Sequence, residues 1–357
     1  MPGVENGKSL LQGADTFVFK KGVVYSFNEN ISVSVILPEG LGELAGAVKA
    51  QEFFGLISKF SGETVELTIT EENWVLTSGE AEATLALLQE KVSDRIALIG
   101  PKDDWLDVPV GFLAVLGGCV LANNSSALSG VYCSDKLLVS TDEMRINALD
   151  LSADMGTWWV SDSAAMELLK LPALKQYQLG DGWLHFATED QTVISLKRLV
   201  ADKYPFGKLR AVVAMHAQAE DDFTGTLPVG LRDAVERAST LSTGIESFDA
   251  VDLTFDGAGI FVASQRSTGK YKEMVKWDAP LQNPEVDAFK ITLDKGMVAS
   301  GLKLAKTFYL KEVKLKGGMS KRLVFKAEHG VQLVSALEAE APKETKPKKA
   351  TKAAADE

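Results

Sequence analysis

The 357-residue chain has only two cysteines, Cys119 and Cys133, and three histidines, His185, His216 and His329. It has no Cys-x-x-Cys pair and no histidine spaced to complete a metal set, so neither a zinc site nor a disulfide framework is indicated. Cys119, inside the apolar run GFLAVLGGCVLA, reads as a small buried hydrophobe. No metal or cofactor is expected. No run of about eighteen apolar residues occurs, and the opening MPGVENGKSLLQG lacks the basic and apolar regions of a secretory signal. The expectation is a soluble cytoplasmic protein without a membrane partner. An excess of positive charge is missing too. The net charge is -11, and on the sum alone that argues against phosphate binding. One basic inner surface on an otherwise acidic protein satisfies both facts, so the distribution of lysines matters more than the sum.

Catalytic signatures are equally scarce. Gly7-Lys8-Ser9 resembles the end of a phosphate loop, but the earlier glycine position is Pro2 and no strand precedes it. No G-x-S-x-G or H-E-x-x-H occurs. The three histidines are far apart, each in or beside an expected strand, and read as structural. Asp103-Asp104 and Asp221-Asp222 lie in polar connections, where solvated turns account for them. The chain is not expected to be an enzyme.

What is present is an internal repeat of about one third of the length. The composition, 46% hydrophobic and 24% charged, supports two or three cores. Pro109-Val110-Gly111-Phe112 opens the helical run VGFLAVLGGCVLAN, and Pro228-Val229-Gly230-Leu231 opens VGLRDAVERASTLS. A hairpin follows each: SGVYCSDKLLVST, with Ser134-Asp135 as turn signal, and AVDLTFDGAGIFVAS, with Asp256-Gly257. The first third has DTFVFKKGVVYSF, turning at Lys21-Gly22. Each third then carries a second helix: VKAQEFFGLISKFSG, VSDSAAMELLKLPAL, and ITLDKGMVASGLKLAKTF. Ser161 or Asp162 and Asp294 are the N-caps, and alternating strands follow each helix. The fold class is α+β, in three repeated domains: 1–106, 107–220 and 221–338. Residues 339–357, rich in Ala, Lys, Glu and Pro, read as a disordered tail. The first domain lacks an opening strand and helix, through truncation or through a start upstream of Met1.

Thr141-Asp142-Glu143-Met144-Arg145-Ile146 and, about fifty residues later, Lys197-Arg198-Leu199-Val200-Ala201-Asp202-Lys203-Tyr204-Pro205 are the most specific stretches. They resemble the T-D-G-x-R-L and R-L-[IV]-[ED]-G-x-[FY]-P signatures of the bacterial DNA polymerase III beta subunit, the beta sliding clamp. Both stand in the right domain and order, and the resemblance extends from about Lys8 to Leu337.

The resemblance implies a DNA clamp fold with antiparallel sheets outside and two helices inside each domain. It also implies a head-to-tail homodimer ring encircling double-stranded DNA without sequence preference. Its partners would be the replicative DNA polymerase and the clamp loader, held through short peptide motifs. Cations on the inner helices would face DNA: Lys49, Lys59, Lys170, Lys175, Arg232, Arg237, Lys295, Lys303 and Lys306. A solvated helix face explains any one lysine equally, and Arg232 and Arg237 have Glu236 and Asp233 at helical spacing. In the third domain's second helix, Val298, Leu302 and Ala305 share a face from which Lys303 and Lys306 are offset. Carried over by position, the peptide groove uses Leu128, Thr141, Glu143, Ile146, Val212, Leu333, Ser335 and Leu337. For Leu128, Ile146 and Leu333, ordinary core packing is the competing reading. Ring closure sets Leu85 and Leu87 against Thr240 and Leu241. Glu143 stands where the family has glycine, Met144 replaces a more polar residue, and Ser335-Ala336-Leu337 replaces an M-P-M-like ending. These departures fit a diverged or phage-type member. The alternative function is a clamp-like chain that does not close a ring and mainly binds the clamp-interacting peptides of replication proteins.

Overall fold

Strands and short helices follow one another in a recurring order along the chain. The computed structural model describes residues 14–88, 99–121, 126–171, 173–217, 224–241, 250–266, 269–279, 288–315 and 318–337. The expected C-terminal tail, the Gly7-Lys8-Ser9 stretch and Asp221-Asp222 lie outside these residues. The first elements are β1 (Thr16–Lys20), β2 (Val23–Phe27), β3 (Ile31–Ile36), β4 (Gly46–Lys49), α1 (Ala50–Ile57), β5 (Glu66–Ile69), β6 (Asn73–Ser78) and β7 (Ala81–Ala86). Then come β8 (Leu106–Asp107), α2 (Phe112–Cys119), β9 (Val131–Ser134), β10 (Leu137–Thr141), β11 (Arg145–Asp150) and β12 (Trp158–Val160). They are followed by α3 (Asp162–Leu168), β13 (Gln176–Leu179), β14 (Trp183–Ala187), β15 (Val193–Lys197) and α4 (Phe206–Ala217). The last group is β16 (Thr224–Thr226), α5 (Leu231–Thr240), β17 (Ala250–Phe255), β18 (Gly259–Arg266), β19 (Gly269–Lys276), β20 (Phe289–Asp294), α6 (Lys295–Leu304), β21 (Ala305–Leu315), β22 (Gly318–Ala327) and β23 (Gly330–Ser335).

The hairpins form where turn chemistry asks for them. Lys21 and Gly22 both have positive φ, +50° and +75°, the pair of left-handed residues that a two-residue turn needs to match strand twist. The β9–β10 turn uses Asp135 and Lys136, at +52° and +63°, one residue later than the expected Ser134-Asp135. Between β17 and β18 the Asp256 carboxylate accepts the N–H groups of Ala258 and Gly259. Helix starts follow the same logic. Ser161 Oγ accepts from Ala164 N, and Asp294 Oδ1 accepts from Gly296 N and Met297 N, so both caps satisfy N–H groups that the first turn leaves open.

The elements gather into two compact units, one within Met1–Ala219 that also takes in Ala327–Gln332, the other within Glu220–Lys326 and continuing from Leu333. The first unit holds the antiparallel sheet β4-β1-β2-β3-β15-β14-β13-β8, the sheet β5-β6-β7, and the ladder β12-β9-β10-β11. The opening residues of β23 lie beside β11, where Asp150 N donates to His329 O at 2.5 Å. The second unit holds β19-β18-β17-β20 and the ladder in which β16, β21 and β22 are neighbours.

In the first unit, α2 inserts Phe112, Val115 and Leu116 among Trp158, Val160, Leu184, Phe186 and Leu196, with the Phe112 and Phe186 rings stacked at 5.4 Å. Each such side chain contributes about 1.5–3 kcal/mol of burial. A second cluster unites Phe19, Val48, Trp74, Leu76 and Leu85. In the second unit α5 buries Leu231, Ala234, Val235 and Ala238, the i, i+3, i+4, i+7 stripe of an amphipathic helix.

Three expectations are corrected. The helix expected through Phe308 ends at Leu304, so Ala305 and Lys306 open β21. Lys306 O accepts from Leu227 N, an interaction made on the strand. Helix α4 was not anticipated, because FGKLRAVVAMHA has no sustained apolar stripe; Pro205, just ahead of its first residue, was the readable start signal. His216 accordingly sits in a helix and not in or beside a strand, whereas His185 lies within β14 and His329 in the β22–β23 turn, as expected.

Candidate nucleic-acid and partner interfaces

The two signature stretches meet in the first unit. The turn between β10 and β11 is closed by Asp142, whose Oδ1 accepts from Met144 N and Arg145 N while Oδ2 accepts from Arg145 Nε at 2.7 Å. Thr141 Oγ1 donates to Arg145 O and accepts from Glu143 N. These bonds hold Glu143 at φ +75°, a region that costs an L-residue with a Cβ roughly 1–2 kcal/mol. The glycine of the family signature fits that backbone, and glutamate here occupies it under strain. In the second stretch, Arg198 donates to Gly180 O and Thr157 O. Tyr204 stacks on Tyr132 at 4.7 Å and donates to Val139 O on β10. Burial pushes the Tyr204 hydroxyl pKa up.

Among the expected groove residues, Thr141 is buried, Ile146 and Leu128 are half-buried, and Glu143 is exposed. Val212 lies on α4, which packs beside β11. Leu333, Ser335 and Leu337 belong to the second unit, where Leu333 is 2% exposed and Leu337 N donates to Thr292 O.

Of the nine expected DNA-facing cations, only Arg232 and Arg237 on α5 and Lys295 and Lys303 on α6 lie within helices. The other five correct the helical assignment. Lys49 ends β4, Lys59 and Lys170 follow the ends of α1 and α3, Lys175 precedes β13, and Lys306 is on β21. Lys49 pairs with Asp15, Lys170 with Glu167, Lys175 with Glu189 and Arg232 with Glu236. Arg237 is gripped most firmly. Its Nη2 donates to both oxygens of Glu273, at 2.7 and 2.9 Å, and its Nε also reaches Tyr271 Oη; the hydrogen bonds to Glu273 push the guanidinium pKa up. The partner's spacing misled the sequence reading, since Glu273 on β19 holds Arg237 rather than Asp233. For Lys59, Lys303 and Lys306 the described residues include no ion pair.

Of the expected ring-closing residues, Leu85 is 5% exposed and belongs to the first unit's own core. Leu87 packs against Gly46, where an added Cβ would stand 2.6 Å from its Cδ2. Thr240 ends α5, and Leu241 lies against Gly269. The strand edges are more informative. Within the first unit, β3 pairs with β15, matching Ile31 to Leu196 and Val33 to Ile194. Thus the third strand of one hairpin set meets the last strand of the next. By chain order the corresponding strands still at sheet edges are β19 and β7, each terminal in its sheet among the described residues.

The titratable groups read as core. His185 Nδ1 lies 2.8 Å from Ser195 Oγ, and burial lowers its pKa to about 4, against a smaller raising effect of Asp103. Burial pushes both cysteine thiols up. Asp162 is buried and accepts from Leu121 N and Ser129 Oγ, tying the segment after α2 to α3.

The architecture is one of repeated antiparallel ladders with short helices packed on them. Solved structures share it. The DNA polymerase III beta chain from Streptococcus pneumoniae matches with a TM-score of 0.72 at 18% identity, over 94% of this chain and 95% of that one. The DNA polymerase sliding clamp from Bacillus subtilis matches with a TM-score of 0.69 at 17% identity, over 91% and 90%. The Helicobacter pylori beta clamp bound to a DNA ligase peptide matches with a TM-score of 0.67 at 14% identity, over 90% and 91%. The chain therefore has the sliding-clamp fold. No protein-family model matches the sequence, and neither does any curated protein.

Proposed function

We propose that the chain is a sliding clamp of the DNA polymerase III beta type, without catalysis of its own. Two copies join head to tail around duplex DNA, and the ring tethers the replicative polymerase. The domains divide at residues 106 and 220. The observation that carries this reading is the pairing of β3 with β15, together with β19 and β7 standing at sheet edges. A second copy that lays its β7 beside β19 repeats the β3–β15 junction and covers two edges that would otherwise invite indiscriminate pairing.

A closed ring holds DNA by topology, so weak, sequence-blind attraction to phosphates suffices. Neutralised cations such as Arg237 suit sliding, because a strongly attractive lining would hold the ring in place. Short partly apolar peptides of the polymerase and loader dock near the β10–β11 turn, with Ile146 and Val212 offering apolar anchors. The ligase peptide held by the Helicobacter pylori clamp supports this mode of partner binding.

The test is topological. On a duplex tethered at one end, the protein is loaded by threading, and the free end is then either blocked or left open. A ring stays on blocked DNA through a wash in high salt and leaves open DNA. Equal loss from both would contradict encirclement.

A further inference from the structure

We propose that Glu82 on β7 of one copy and Lys272 on β19 of a second form the ion pair that sets the register of the junction between copies and selects another copy of this chain as the partner. The proposal rests on closure through β7 and β19 and adds the residues that make it selective.

The repeat supplies the register. Val48 and Leu293 each lie two residues ahead of their repeat's second helix, and they pair with Phe17 and Val251. From there the row Phe19, Val24, Val35 matches the row Leu253, Val262, Glu273. Ser34 on β3 therefore corresponds to Lys272 on β19. On the other side of the junction, the turn bond from Thr70 N to Asn73 O matches that from Gly180 N to Trp183 O. The pair Thr77 and Glu82 then matches Ala187 and Val193, so Glu82 on β7 corresponds to Val193 on β15. Ser34 and Val193 stand directly opposite each other where β3 meets β15. The same register between two copies sets Lys272 opposite Glu82, within the roughly 5 Å that separates the Cβ atoms of such a pair. On the other face it sets Tyr271 opposite Ala83 and Gly269 opposite Leu85, large against small.

Charge makes the register selective. Lys270, Lys272 and Lys276 are exposed along one face of β19. The Lys272 ammonium rests 5.0 Å from the Phe261 ring centre, and among the described residues no carboxylate pairs with it. Glu82 is exposed on β7, and Glu66 stands in the same cross-strand row. Within the chain, where connectivity already brings the strands together, the corresponding positions Ser34 and Val193 are uncharged. Opposite charges occur where the edge must find its partner by diffusion. A lysine-lined edge repels indiscriminate strand pairing, and a carboxylate at the matching position converts that repulsion into choice.

The experiment measures the dimer dissociation constant of the full chain by sedimentation at low salt, for the native protein, Glu82→Lys, Lys272→Glu and the double exchange. Both side chains are exposed, so the exchanges leave the cores intact. Either single exchange sets like charges opposite each other at both junctions of a two-copy ring and should raise the constant by about tenfold or more, less so at high salt. The double exchange should restore dimers. An equimolar mixture of the two single variants should as well, because each junction of the mixed ring then joins opposite charges. Native dimers that Thr84→Pro dissociates but neither single exchange weakens would overturn the pair and leave the junction standing. Weakening that neither the double exchange nor the mixture repairs would also overturn it. A monomeric native chain, or a dimer indifferent to Thr84→Pro, would overturn the junction and the pair together.

Discussion

The Asp142 carboxylate and the Arg145 guanidinium, only 13 and 12% exposed at their side chains and 2.7 Å apart, close the β10–β11 turn around a glutamate at positive φ. Asp142 also takes two backbone N–H groups, so its removal unpairs Arg145 and opens the turn together. Asp142→Ala should cost about 2–4 kcal/mol in urea unfolding. Glu143→Gly relieves the left-handed strain, less the entropy glycine adds to the unfolded chain, and should stabilise by up to about 1 kcal/mol.

Two glycines in helices should respond oppositely to alanine. At Gly301 in α6 an added Cβ would lie 2.2 Å from the Phe325 ring, so Gly301→Ala should destabilise by roughly 1–3 kcal/mol or more through overpacking. At Gly55 in α1 nothing stands within 4 Å, and Gly55→Ala should stabilise by about 0.5–1 kcal/mol through helix propensity. Calorimetric Tm values separate the two.

His185 predicts a pH dependence. Its folded pKa, about 4, lies below the usual value near 6.5, so between these values the unfolded chain binds the extra proton. Stability is complete above pH 6.5 and falls as pH drops toward 4. The loss is on the order of 3 kcal/mol, from about 1.4 kcal/mol per pKa unit between the two values. His185→Gln should flatten this segment of the stability profile; an unchanged slope would assign it to other groups.

The cations differ in what they offer DNA. Lys303→Glu should shorten residence on duplex DNA and reduce its salt dependence. Arg237→Ala removes one positive charge where Lys303→Glu changes the charge by two, and it leaves the Glu273 carboxylate unpaired, so it should also shorten residence, by a smaller factor. The check is dissociation measured across a salt series.

These contrasts mark what the sequence could reveal. Lys21-Gly22 was readable because a two-residue turn demands positive φ at both positions, and Asp294 because a cap acts on its own next residues. Asp162 gave no comparable signal, since Leu121 and Ser129 lie more than thirty residues away and only the fold brings them near. The pairing of β3 with β15 is likewise non-local. Helical spacing assigned Arg237 to Asp233, but the bidentate partner is Glu273 on a strand. Lys306 was placed on a helix because an apolar stripe continues into β21 without a stop signal.

The central claim is ring closure through β7 and β19, and the solution mass tests it most directly. Leu88 N donates to Ala47 O and Leu87 N to Glu72 O. The alternation of a strand therefore directs the Thr84 N–H away from β6, toward the free edge. Light scattering on a sizing column should give two subunits for the native chain. Thr84→Pro, which removes that edge donor and leaves the β6 ladder bonded, should give one subunit with little change in thermal unfolding. A monomeric native chain, or a dimer indifferent to Thr84→Pro, would contradict closure through these strands.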